Sequence, residues 1–324
     1  MLKKYLIESF FGSFFTLFAI LFIIASMVLL LTISNMTAML KINLSEFLYL
    51  YVLSLPEIIF YTLPLTFFIT ASLSIAKLFE NSELITVLAL GSSPKQIVKP
   101  FFNLSIFLTF LLFIITFLSI PTSQILYKNF INIKKAQSQF NFFASSIGQK
   151  FGNWNVFIKE KHNNNYKDLI LYNNSQKLFI ISNTAETLRN KNYFTLSLFD
   201  GNLYYQDKNT TTKVKFKQLD LNQQIQILPL NLQTIGDYLK KYKYKTNKYL
   251  LIALFPIVSM FFLAGVSFFH NRYQKNHSVI LSLSIAVLYY VSVFISYKNL
   301  YAIFIIIPAF LLLSMVFRQR IKQF

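Results

Sequence analysis

Several stretches of this chain stay apolar for longer than a bilayer is thick, and a soluble core has no place for them. They are Phe10–Ile33, Tyr51–Ala76, Phe101–Ile120, Tyr249–Phe269, Val279–Ser296 and Leu300–Phe317. About 20 consecutive apolar residues in a helix cross a hydrocarbon core of roughly 30 Å. Charged residues make up only 13% of the chain, about half the share usual in soluble domains. The sequence therefore reads as a polytopic α-helical membrane protein with six spans. The first run follows Met1-Leu-Lys-Lys4 and is too long for the ~7–15-residue core of a signal peptide. No small-residue cleavage site follows it, so it reads as a retained span. Pro56, Pro64, Pro256 and Pro308 lie in or at the ends of spans, where they kink helices and neighbouring groups take up the freed carbonyls.

Orientation follows from lysines and arginines in the short connections. With the N-terminus inside, the cytoplasmic segments hold Lys3, Lys4, Lys77, Lys95, Lys99, Arg272, Lys275, Arg318, Arg320 and Lys322, against Lys41 and Lys298 outside. This places both termini in the cytoplasm and 121–248 outside. The net charge of +19 does not point to nucleic acid, because lysine is abundant along the whole chain and a basic protein suits anionic lipid. Cysteine is absent, which excludes disulfides and thiolate metal sites.

The long outer segment changes pattern. Asn155–Ile158, Leu169–Tyr172, Leu178–Ile181 and Tyr193–Phe199 are short β-type runs, and Thr212–Lys217 alternates with period two. Asn163–Asn165, Asn173-Asn174, Asp200-Gly201 and Asp207–Asn209 punctuate them as turns. A sandwich or β-jellyroll-like domain is the expected packing. The organisation is thus 1–120 with three spans, 121–231 as the outer β domain, and 232–324 with a connecting helix over Leu232–Tyr244 and three more spans.

Between the second and third spans stands a segment with its own helix signals, KLFENSELITVLALGSSPKQIVKP from Lys77 to Pro100. Asn81 or Ser82 can cap a helix, and Glu83 suits the positive end of its dipole. Leu84, Val87, Leu88 and Gly91 fall on one helical stripe, with Gly91 as a stop. Ser93-Pro94 restarts a helix. Such an element over 81–99 either floats in the headgroup layer or couples to a cytoplasmic motor, with Glu83 facing a basic residue and Leu84, Val87 and Leu88 filling an apolar socket.

This region, LPEIIFYTLPLTFFITASLSIAKLFENSELITVLALGSSPKQIVKP from Leu55 to Pro100, resembles the lipopolysaccharide-export permeases LptF/LptG. The likeness lies in its prolines, in Lys-Leu-Phe followed by Ser-Glu-Leu, and in Gly91. Three spans on each side of an outer β domain extend it over the chain, and Phe151–Ile158 is also similar. The stretch Lys77–Val87 leans towards LptF. The resemblance implies a non-catalytic inner-membrane subunit, paired with a second homologous permease chain on a cytoplasmic ABC ATPase dimer. It implies extraction of lipopolysaccharide and delivery through a periplasmic jellyroll to a bridge of similar domains. By the same likeness, Glu83 becomes the acidic contact to the ATPase, with Leu84 to Gly91 as the seated helix. Lys41 falls where basic residues meet lipid phosphates or inner-core sugars. The chain is shorter than typical members.

No GxxxxGK[ST] phosphate loop exists, so this chain supplies no ATP hydrolysis of its own. His162, His270 and His277 lack metal-ligand spacing, and no cofactor is expected. Lys240, Lys241, Lys243, Lys245 and Lys248 precede the fourth span, either as a solvated face or as a contact for phosphorylated headgroups. Glu57 is a carboxylate in an apolar run, placed either in interfacial water or on the lipid path. A non-transporting scaffold or signalling protein with a partner-binding β domain is the alternative to a permease.

Overall fold

The computed structural model describes residues 2–37, 40, 42–139, 145–151, 154–162, 165–173, 177–189, 193–206, 210–225, 227–268, 276–299 and 301–318. Lys41, His270, Arg272, Lys275, Arg320, Lys322, Gly152 and the Asp207–Asn209 turn lie outside them, as do parts of the turns at 163–165 and 173–174. The chain divides into two compact units, one of Met1–Ser34, Leu48–Gln124 and Leu230–Phe324, the other of Asn35–Phe47 and Ile125–Pro229.

The first unit is a helix bundle. The helices of the chain are α1 (Leu2–Thr37), α2 (Leu44–Glu80), α3 (Glu83–Ala89), α4 (Pro94–Ile114), a π-helical turn (Ile115–Ser119), α5 (Ile120–Gln139), α6 (Leu232–Lys241), α7 (Lys243–Ser267), α8 (Ser278–Ser296) and α9 (Ala302–Arg318), of which the end of α1, the start of α2 and residues 125–139 of α5 fall in the second unit. Helices covering Lys3–Asn35, Leu44–Glu80, Pro94–Gln137, Lys243–Ser267 and Ser278–Ser296 are long and apolar enough to cross a membrane; the apolar helix at Ala302–Met315 is shorter.

Sequence explains which helices lie inside. In α2 and α7, small and hydroxylated side chains alternate with large rings, and Thr66, Thr70, Ala71, Ser72, Ala76, Ala253 and Ser259 are all buried. Small residues let apolar helices approach closely where no hydrophobic effect drives them together. Three hydroxyls bond to their own helix: Thr62 donates to Ile58 O (3.0 Å), Thr66 to Thr62 O (2.8 Å) and Ser259 to Pro256 O (2.8 Å). Phe68 meets Phe255 edge-on at 5.8 Å. Helix α1 buries Leu6 and Phe10 in its first turns and Ser26 and Ile33 further along, while Phe15, Ile20, Ile23, Ile24, Met27 and Leu31 are exposed.

The third span continues without a break as α4, the π turn and α5, so residues 121–139 are helical and the strands begin at Ser145. The π turn sits just before Pro121, which has no N–H to give the Phe117 carbonyl and whose ring would crowd it in a regular α-helix. Widening the helix by one residue accommodates both faults.

Among the described residues, the second unit carries one six-stranded antiparallel sheet of β1 (Ser145–Phe151), β2 (Trp154–His162), β3 (Asn165–Asn173), β4 (Leu178–Arg189), β5 (Tyr193–Gln206) and β6 (Thr211–Gln224). Each β-type run read from the sequence falls inside one of these strands. The strands pair in sequential order, a meander, whereas a jelly roll interleaves Greek keys. Asp200-Gly201, expected as a turn, lies inside β5. Gly201 pairs with Phe216, and a Cβ there would stand 2.4 Å from both the Phe216 ring and the Ile181 carbonyl oxygen, so the glycine serves close packing instead of chain reversal.

A transverse irregularity runs through the sheet. The ladder register skips Lys159–Asp168, Asp168–Asn183, Asn183–Asp200 and Asp200–Lys217, and Asp168 and Asp200 both have φ near 50°. Along β3 the buried side chains are Tyr166 before this row and Leu169 and Leu171 after it, and along β4 they are Ile180 and Ser182 before it and Ala185 after it. The inward alternation therefore shifts by one residue, keeping one apolar face throughout. Beside the row, the buried Ser182 hydroxyl lies 2.7 Å from Thr184 O and 2.8 Å from Phe199 O, so it does not go without a partner. In the same unit, Asn129 of α5 joins the stretch after β6, donating to Leu228 O (2.8 Å) and accepting the Leu228 N–H (2.9 Å).

Candidate functional site

Two regions of the helical unit gather polar chemistry. The first is α3 and its flanks. Ser82 takes the cap position in a left-handed conformation (φ 62°), and its hydroxyl caps nothing. The expected Asn81/Ser82 cap is replaced by a side-chain contact, with Asn81 Nδ2 donating to Glu83 at 3.2 Å. Glu83 is half-buried and also accepts the Tyr5 hydroxyl, which ties α3 to the start of α1. The end of α3 matches the sequence reading. Gly91 has φ 90°, its N–H donates to Leu88 O (3.0 Å), and the Ser92 N–H donates to Val87 O (3.3 Å). This is the paired closing bond of a Schellman motif. Gln96 accepts the Ser93 N–H at 3.3 Å, and Pro94 opens α4.

The apolar stripe divides by burial. Leu84 is 1% exposed within the chain's own core, and Leu88 packs against that core with Ile85. Val87 is half-buried, while Gly91 and Leu90 are exposed. An apolar residue left 82% exposed at Leu90 marks the open side of this turn.

The second region surrounds Glu57 of α2. Its carboxylate accepts Tyr249 OH (2.6 Å) from α7 and Gln124 Nε2 (2.9 Å) from α5, and Lys245 Nζ stands 3.6 Å away. A carboxylate in an apolar bundle is expensive unless paired and hydrogen-bonded, and these contacts supply both. Burial and the Glu57 charge push the Tyr238 phenol up to about 12, so it stays protonated beside that carboxylate. Lys248, one turn past Lys245, lies over the rings of Tyr61 (5.3 Å), Tyr249 (5.3 Å) and Phe294 (5.0 Å). Asn247 secures this end of α7 by donating to Tyr297 O (2.9 Å) and Asn299 O (3.0 Å).

The lysine group read from the sequence is thus split. Lys240, Lys241 and Lys243 are exposed, Lys245 pairs with Glu57, and Lys248 is boxed by rings. Lys41 lies outside the described residues. Sequence reasoning did not find Tyr5, Gln124 or Tyr249 as partners. Tyr249 carried the one usable signal, a hydroxyl next to a run that is otherwise apolar.

These features define a polytopic helical membrane protein with an antiparallel β insert and a short independent helix between its second and third spans. Residues 4–318 match the family described as lipopolysaccharide export system permease LptF/LptG, and the chain belongs to that family. No curated protein matches the chain. The family assignment makes it a multi-pass membrane protein of the permease class for lipopolysaccharide export. The match does not separate LptF from LptG.

Proposed function

We propose that this chain is the transmembrane permease subunit of an ABC-type exporter that extracts lipopolysaccharide from the inner membrane and passes it to a periplasmic bridge. The observation that carries the reading is the family match over residues 4–318. In it, the chain hydrolyses no ATP and pairs with a second homologous permease chain on a cytoplasmic ATPase dimer. Both termini are cytoplasmic, and the β insert is periplasmic and meets a jellyroll bridge protein.

Force enters through α3. Glu83, Val87, Leu88 and Gly91 form the contact with the ATPase, and Leu84 anchors the helix to its own bundle. The buried side chain supports this division, since a helix fixed on one face can pass on a push received on another. The basic residues Lys41, Lys240, Lys241 and Lys243 hold the phosphorylated headgroup at the outer rim, while Lys245, a fifth candidate in the sequence, is taken up by Glu57. The transport cycle is then a shift between conformations with different lipid affinity.

Co-purification tests the ATPase contact. Wild type is expected to retain an ATPase that Glu83→Lys loses, with lipopolysaccharide bound by the wild-type complex. Purification without any ATPase, from a membrane where the exporter is active, would favour a scaffold.

A further inference from the structure

Lys248 remains after the exporter reading has been built, and its surroundings differ from those of its neighbours. Three rings from three helices enclose the ammonium: Tyr61 on α2, Tyr249 on α7 and Phe294 on α8, at 5.0–5.3 Å. Its nearest anion is already engaged, because Glu57 accepts Tyr249 OH and Gln124 and pairs with Lys245. Among the described residues no carboxylate stands within 4 Å of Lys248. One carboxylate against two ammonium groups leaves this cluster with a net positive charge.

The third ring shows which side is open. Phe294 is 48% exposed, and with Val291, Ile295 and Val287 it belongs to the outward apolar face of α8. In a spanning helix that face meets acyl chains. Lys248 lies in the second turn of α7, near the span's end, where lysines reach for headgroups. An ammonium with an apolar ring wall and no carboxylate of its own is complementary to the phosphate of a lipid whose tails lie along α8.

We propose that Lys248, framed by Tyr61, Tyr249 and Phe294, is a seat for one lipid phosphate at the lipid-facing edge between α7 and α8. Glu57 occupies Lys245 and orients the Tyr249 ring, which leaves Lys248 as the cation that takes the ligand. Two lipids carry this chemistry, an anionic phospholipid of the surrounding bilayer and lipopolysaccharide itself. The seat does not depend on the exporter reading.

The test is native mass spectrometry of the full chain released from phosphatidylcholine nanodiscs containing either phosphatidylglycerol or lipopolysaccharide. Loss of a charge-assisted contact corresponds to roughly tenfold in affinity. Lys248→Gln is expected to lower retained anionic lipid by about that factor, with Lys248→Arg keeping most of it. Phe294→Leu, at an exposed position, is expected to lower it less. Joint replacement of the exposed Lys213, Lys215 and Lys217 on β6 by Gln is expected to leave the Lys248-dependent adduct in place. Dependence on Lys248 in the phosphatidylglycerol arm identifies a resident membrane lipid; dependence in the lipopolysaccharide arm alone identifies the cargo. Retention by Lys248→Gln equal to wild type in both arms overturns the proposal. So does loss in Lys248→Gln matched by equal loss in Lys248→Arg and in the triple variant, which would indicate diffuse attraction. Loss of the ATPase from Glu83→Lys is read separately, so failure of the exporter reading would leave this result standing.

Discussion

Gly201 shows how one atom can be excluded by packing alone. Its φ needs no glycine, but a Cβ would collide with the Ile181 carbonyl and the Phe216 ring on the two flanking strands. The carbonyl belongs to a ladder and cannot swing away as a side-chain tip could. Gly201→Ala is expected to destabilise the sheet by about 1–3 kcal/mol, the usual range for overpacking, measured as a lower urea midpoint of the β unit. Tyr249→Phe is the corresponding test of the buried polar cluster. It keeps the ring and removes only the Tyr249 donor to Glu57, and leaving this half-buried carboxylate one partner short costs about 1 kcal/mol. A lower melting temperature of the helical unit, with the β unit unchanged, is the expected result. An unchanged melting temperature would mean that water or another donor replaces the hydroxyl.

At the scale of elements, α3 and the α4–α5 junction are each set by one residue of special backbone chemistry. Gly91 has open space where a Cβ would stand, so substitution there meets only the left-handed backbone penalty. Gly91→Ala should cost about 1 kcal/mol and Gly91→Asn less, since asparagine tolerates this region. Faster hydrogen exchange at Gly91 and Ser92, whose N–H groups close the helix, would report it. Pro121 acts on the preceding turn. Pro121→Ala restores a donor to the Phe117 carbonyl, and Ile115–Ser119 is expected to revert to α-helical bonding, read as the loss of the π turn in a structure of the variant. If the π turn persists, the surrounding packing holds it and proline does not. Much at this scale was legible in the sequence. Gly91 announced a stop, Ser93-Pro94 a restart, and the β-type runs their strands. Asp200-Gly201 misled because Asp-Gly is a strong local turn signal, while the close approach of Phe216, on a neighbouring strand, has no local mark.

At the scale of the whole molecule, the two compact units imply two folding units with separate cores. Leu196 and Leu198 are fully buried in the sheet core, and Phe255 and Phe262 in the helical core. Leu196→Ala should lower one transition and Phe255→Ala the other, each by about 2–5 kcal/mol, in calorimetry or denaturant titration of the full chain. A single transition shifted by both would show that the units unfold together. Inside the second unit, the Lys134–Glu46 pair at 2.6 Å joins α5 to the start of α2, two segments far apart in the chain.

The amino-acid sequence by itself determined the spans, the β character of the insert and the C-terminal end of α3. Each depends on residues close together in the chain: unbroken apolar length, alternation, and a glycine or proline at a helix end. It could flag Glu57 and a run of lysines as candidates, but it could not say which of them meet. Tertiary structure decided that Glu57 would bond to Tyr249, 192 residues away, and to Gln124, 67 away. It also decided that Lys245 would be consumed in that cluster while Lys248 is left among rings. The physical reason is that a half-buried charge takes whichever donors the packing of distant helices brings within about 3 Å, and that choice leaves no periodicity to read.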